Sequence, residues 1–147
     1  MVYVYNPISS LYSDSGNLIF TSGELFNKES VDLTLPIVSS DIEVDSTGSI
    51  HIGVVNSIMV KAPDAGVVEK VGMSLDGIKY IKINHSQSIS TLIENVNIIG
   101  VESGVIVKKG QDIATACEGE RIVLKVFYNG FQISNIKLNQ SKVVWEN

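Results

Sequence analysis

Tight-turn signals recur along this sequence at intervals too short for helices. Pro63-Asp64-Ala65-Gly66, Asp76-Gly77, Glu102-Ser103-Gly104, Lys109-Gly110 and Asn129-Gly130 each separate segments rich in Val, Ile, Thr and Tyr. Asp-Gly and Asn-Gly tolerate the positive φ angles that tight hairpins require. No window of about 12 residues carries a convincing helical stripe. The pattern predicts strands at Tyr3–Tyr5, Asn17–Thr21, Ile42–Val44, Ser49–Val54, Ser57–Ala62, Gly66–Val71, Lys79–Asn84 and Ser90–Glu94. It continues with Asn97–Val101, Val105–Val107, Asp112–Thr115, Arg121–Tyr128, Phe131–Ser134 and Lys142–Trp145. Only Gly23 to Val31 suggests a helical turn or two. Short strands at this spacing predict an all-β barrel-sandwich hybrid or antiparallel β-sandwich, not a parallel α/β sheet. Residues 1–34, with their Ser, Asn, Asp and Gly clusters, read as an arm or extra strands on a domain spanning 35–147.

Composition narrows the function classes. With 147 residues, 44 % hydrophobic and 18 % charged, the chain can bury a proper core as one domain. A net charge of −5 and 11 basic residues argue against a nucleic-acid partner, which would need clustered Lys and Arg. Cys117 is the sole cysteine, so no internal disulfide and no CxxC metal or redox site is expected. No apolar run is long enough to span a membrane. Met1 to Ser10 shows no signal-peptide pattern, so a complete chain would be cytoplasmic. A fragment could belong to the cell envelope.

Four segments are more specific than the composition. They are Val60 through Gly72, Gly77 through His85 with Thr91 following, Val101 through Ile113, and Val126-Phe127-Tyr128-Asn129-Gly130. Their turns are architecture: glycines at each bend let a folded ribbon switch sheets. Their order resembles the lysostaphin/LytM-type zinc endopeptidases, which cleave peptide cross-links in peptidoglycan. That family shows "APxDGxV", then "IxHGxGxxTxYxHL", then "VxxGxxVKKGQxIG", then "HLHFEVxxNG". The His85-to-Thr91 step, both glycine-turn segments and the terminal Asn-Gly fit, and Leu35-Pro36-Ile37 resembles the opening "WP(V/I)". The likeness runs over about residues 35–135.

The resemblance implies a zinc held by the His and Asp of "HxGxD" and the second His of "HLH". Counted back from Asn129-Gly130, that second His falls on Val123 and its companion general base on Arg121. The catalytic His of "YxHL" falls on Asn95, and its Tyr on Ile93. His51-Ile52-Gly53 matches "HxGxD" with Val55 in place of the Asp, whereas an ungapped alignment puts Thr47 and His51 at the two ligand positions. A catalytic zinc needs three His, Cys or carboxylate ligands and an open position. The expectation is therefore no metal, no other cofactor and no catalytic residue. His51, Asn95, Arg121 and Val123 would line a vestigial groove.

The remaining candidates have ordinary readings. His51, between Ile50 and Ile52, reads as a partly exposed strand residue, and His85 as a hairpin residue. Cys117 stands beside Glu118 and Glu120, with no cation to favour a thiolate. Trp145, after Val143-Val144, is expected to anchor the last strand to the core. The leading functional expectation is a catalytically inactive LytM-like binding or assembly module. Its partner would be a cell-wall hydrolase, another envelope protein or a peptidoglycan peptide. Two alternatives stay open: a lipoyl, biotinyl or phosphocarrier-type hybrid barrel, for which Met59-Val60-Lys61 is the nearest motif, and a structural part of a phage or envelope assembly.

Overall fold

A computed structural model of the protein describes residues 30–146. The strands expected at Tyr3–Tyr5 and Asn17–Thr21 lie outside the described residues, as do the helical turns expected from Gly23 except for Ser30 and Val31, which belong to no element. Among the described residues every element is a strand: β1 (Leu33–Thr34), β2 (Ile42–Val44), β3 (Ile50–Gly53), β4 (Ile58–Lys61), β5 (Gly66–Met73), β6 (Lys79–Asn84) and β7 (Ile89–Val96). Then follow β8 (Ile106–Val107), β9 (Asp112–Ala116), β10 (Arg121–Tyr128), β11 (Phe131–Gln132), β12 (Ile136–Asn139) and β13 (Lys142–Trp145). The all-β, antiparallel class expected from the turn pattern is the class observed.

The main sheet runs β2-β3-β10-β7-β6-β5-β8. Strand β10 lies inside it, hydrogen-bonded along one edge to β7 and along the other first to β3 and then to β11. Alternation sorts its residues. Ile122, Leu124 and Val126 are fully buried, while Arg121, Val123, Lys125 and Phe127 take the opposite face. The same parity buries Ile50 and Ile52 in β3, Ile81 and Ile83 in β6, and Thr91 and Ile93 in β7. The β4–β9 ribbon adds Val60, Ile113, Ala114 and Ala116 to this core. A register shift at Val60/Lys61 leaves Ile113 unmatched opposite β4, and this bulge turns both Ile113 and Ala114 inward. A third sheet, β1-β13-β12, adds Leu33, Val143 and Ile136. Trp145 packs partly buried against the core, as its position beside Val143-Val144 suggested.

Sequence and structure part company in places. Asn97–Val101 is no strand: it runs beside β9 through Asn97 N–H to the Thr115 carbonyl, Thr115 N–H to that of Ile98, and Gly100 N–H to that of Ile113. Ile99 and Ala114 form only an isolated bridge. Conversely, β12 and β1 had no sequence signal.

Buried polar groups pin the hairpins. His85 is fully buried, with Nδ1 2.9 Å from the Ala65 carbonyl and Nε2 2.8 Å from Thr91 Oγ1. A carbonyl can only accept, so Nδ1 carries a proton, and the Thr91 hydroxyl completes Nε2. The ring thereby ties the Pro63–Gly66 turn to β7, and the six-residue step to Thr91 is the distance across one hairpin. Thr91→Val keeps the shape and removes the hydroxyl that bonds the ring. It is expected to destabilise the fold by about 1–3 kcal/mol, read as a lower urea midpoint at unchanged slope.

Candidate functional site

The outward face of the main sheet collects the residues that sequence comparison singled out. Cross-strand partners place Glu43, His51, Val123, Glu94 and Tyr80 in one row over five strands. Directly opposed residues of an antiparallel pair project from the same face, so His51 stands beside Val123. Two residues along β10 from Val123, Arg121 faces Gly53. Asn95, Arg121 and Val123 line one open depression of about 390 Å³, together with Glu94, Tyr80 and Asp76. Three of the four groove residues therefore share a surface, and His51 borders it through its register with Val123.

Each of these side chains has a local reason for its place. Asn95 is the extra residue in β7: Lys79 opposes Val96 and Tyr80 opposes Glu94, leaving Asn95 unmatched. Its φ is 71°, in the left-handed region that Asn tolerates better than most residues. Its side-chain amide donates to the Arg121 carbonyl at 2.8 Å and to Glu120 Oε1 at 3.4 Å. The bulge thus ties the end of β7 to the start of β10. Arg121 Nη2 donates to Asp41 Oδ1 at 2.7 Å. Val123 offers only hydrocarbon, and Ile93, where the family's Tyr would fall, is fully buried in the core.

His51 is built into the β2–β3 turn. Asp45 Oδ1 accepts from the backbone N–H of Thr47 at 2.9 Å, from the Thr47 hydroxyl at 2.5 Å and from the Ser49 N–H at 3.1 Å. Its other oxygen lies 2.8 Å from His51 Nε2. The turn closes on Gly48, whose φ of 88° suits glycine and where a Cβ would stand 2.1 Å from the Ile133 carbonyl oxygen. The Thr47 hydroxyl, then His51, then the two N–H groups hold the Asp45 carboxyl well below the usual carboxylate range. Asp45 is therefore an ionised acceptor, and His51 Nε2 donates to it. Sequence reasoning missed this partner; the signal available was Asp45-Ser46-Thr47-Gly48-Ser49, an Asx-turn pattern that folds the carboxylate back toward the next strand. It also missed Glu94 and Tyr80, which only the register brings to the row.

The donor chemistry does not fit a zinc ion. Val123 cannot ligate, Arg121 is a cation paired to Asp41, Asn95 spends its amide on the β10 backbone, and His51 alone would supply a single ligand where three are needed. Among the described residues no group of three His, Cys, Asp or Glu side chains could hold a metal. Lys61 ends β4 in an ion pair with Asp112 and does not stand at a hairpin tip, where a carrier lysine would. No described helix is long and apolar enough to cross a membrane.

Comparison with known proteins agrees on the fold. The profile described as Peptidase family M23 matches residues 46–129. Helicobacter pylori Csd3 superposes with a TM-score of 0.63 at 18 % identity, over 78 % of this chain and 35 % of that one. A zinc-containing peptidase from Vibrio cholerae gives 0.56 at 20 %, over 71 % and 37 %. A chain of the SpoIIQ–SpoIIIAH pore-forming complex gives 0.52 at 19 %, over 57 % and 59 %. The chain spans less than half the length of the first two. At these identities the likeness is one of fold. A search of curated proteins finds no match.

Two outcomes are expected here. A folded-state value below that of the unfolded chain makes Asp45 stabilising above the unperturbed 3.8, a contribution lost as pH falls through the depressed folded value. Carboxyl NMR titration should place its midpoint below 3.8. Thr47→Ala should return it toward that value more than His51→Ala does. For Asn95, the β-branched Asn95→Val should be less stable than Asn95→Gly by about 1–2 kcal/mol, since both lose the amide and only the first is strained. Thermal unfolding of the pair reads the difference.

Proposed function

The chain belongs to peptidase family M23, and from that membership we propose that it is a catalytically inactive member acting by binding, as an assembly or regulatory module of the bacterial cell envelope. The observation that carries this reading is the outward face across β3, β10 and β7. Where the family resemblance calls for imidazoles, this chain has Val123, Arg121 and Asn95, and the one histidine on that face is held by Asp45. Without three ligands there is no activated water, which is the chemistry a zinc peptidase contributes to hydrolysis.

The same face is still equipped to hold an extended peptide. Its centre is lined by Val123, with Leu92 and Phe127 farther along, and is flanked by charges of both signs: Arg121 with Asp41, Lys125 with Glu94 at 3.0 Å, and Lys82 with Glu69 at 3.5 Å. Apolar stem contacts with paired charges at the margins suit a strand carrying both carboxylates and amines, either a peptidoglycan peptide or a segment of a partner protein such as a cell-wall hydrolase. The SpoIIQ–SpoIIIAH pore-forming complex supports the second choice, because there a fold of this kind assembles with another protein.

Metal analysis of the purified chain after dialysis against zinc should return well under one equivalent, and labelled peptidoglycan should remain uncut. One tightly held zinc per chain accompanied by cleavage would overturn the reading. Binding is scored separately: Arg121→Glu should weaken capture of peptidoglycan peptide or partner about tenfold or more, the scale of one lost charge-assisted contact.

A further inference from the structure

We propose that this chain carries a second site, outside the catalytic face of its family: a groove between the β10–β11 hairpin and the β12–β13 hairpin that binds a neutral oligosaccharide. The proposal does not depend on whether the M23 face is active or what it binds.

The groove begins with a turn. Asn129 and Gly130 have φ of 51° and 84°, the two successive positive values of a type I′ turn, which Asn-Gly prefers. So tight a turn sets Tyr128 directly opposite Phe131. Tyr128 keeps the parity of Ile122, Leu124 and Val126 but lies beyond the end of the core, so it emerges into solvent with its neighbour. Phe131 is 79 % exposed and Tyr128 48 %. The opposite wall is Trp145, set by its pairing with Ile136 and seated partly against the core. The space between has a volume of about 700 Å³, enough for more than one pyranose ring on the usual scale of ligand sites.

The chemistry of the walls selects the ligand. Three aromatic rings stand in one open groove. Asn129, Ser134 and Asn135 add amides and a hydroxyl; one donor of Asn135 is used on the Glu146 carbonyl at 2.7 Å. Among the described residues, Glu146 is the only charged one in the lining, and no Lys, Arg or His belongs to it. A cation-free wall disfavours phosphate, sulfate and carboxylate ligands. Sugar rings present C–H faces that pack on aromatic rings and equatorial hydroxyls that amides and a carboxylate can hydrogen-bond. Exposed aromatics combining an apolar ring with a polar tip suit such half-wet contacts. Phe131, Ser134, Asn135, Trp145 and Glu146 all lie beyond the family match, which ends at residue 129.

Trp145 is the single tryptophan of the sequence, so its fluorescence reports on this groove without a label. Titrating the full chain with chitotetraose and, in parallel, cellotetraose should give a saturable shift of Trp145 emission with at least one of them. The pair separates recognition through acetamido groups from recognition through hydroxyls. Phe131→Ala, at a site too exposed to serve the core, should keep the circular dichroism spectrum and weaken binding about tenfold. Val38→Ala, on an exposed loop outside the groove, should leave it unchanged. Saturation-transfer NMR on the sugar protons gives an independent reading, with the ring C–H face strongest. No saturable change with either sugar would overturn the proposal. So would a Trp145 shift that follows protein concentration without sugar, since the groove would then be a contact between copies. Zinc binding or its absence bears on neither result.

Discussion

Strand β10 is the element on which the architecture depends. It is hydrogen-bonded along both edges, and its alternate residues Ile122, Leu124 and Val126 are sealed in the core. Once those three point inward, Arg121, Val123, Lys125 and Phe127 have no choice of side, because strand periodicity is two. A one-residue slip would expose three aliphatic side chains and bury two cations, so the register is strongly enforced. Every feature of the outward face follows from that enforcement: the His51–Val123 neighbourhood, the Glu94–Lys125 pair and the meeting of Asn95 with Arg121 are consequences of a buried row on the other side.

The outward face owes little of the fold's stability to its ion pairs. Arg121–Asp41, Lys125–Glu94 and Lys82–Glu69 are all partly exposed, and such pairs contribute about 0–1 kcal/mol each. Their effect is on what the face can recognise. Asp45 differs in kind, since its carboxylate is satisfied by backbone N–H groups as well as by Thr47 and His51. It works as the organising anion of a turn, and His51 is recruited to that turn. The histidine that resembled a surviving ligand is thus also a structural acceptor's partner. A comparable economy holds at Asn95, where the amide at the position that the motif resemblance gives to a histidine ties a bulge to β10.

Local signals were legible where a strand met a strong turn. Asn129-Gly130, Asp76-Gly77 and Lys109-Gly110 marked their bends, and β10 and β13 run over the residues that alternation indicated. Strand β12 escaped notice because its hairpin turns at Gln140, a non-glycine residue at φ 58°, flanked by Asn139 and Ser141. Strand β1 is two residues long, and its partner β13 lies more than a hundred residues away in sequence. The stretch 97–101 failed in the opposite sense. Its composition suits a strand, yet it meets β9 in only an isolated bridge, Ile99 to Ala114, beside the bulged Ile113.

Turn chemistry and hydrophobic alternation, both local properties, were enough to indicate an all-β antiparallel fold. The motif resemblance, which needs no coordinates, implies that Val123 falls at a zinc-ligand position of the M23 family and that Arg121 and Asn95 fall at its catalytic histidines. Which groups stand next to one another was decided by tertiary structure. The row linking Glu43 to Tyr80 and the aromatic groove lined by Tyr128, Phe131 and Trp145 depend on register and on contacts between hairpins. Those are set by the packing of distant segments around one buried core, and no window of sequence contains them.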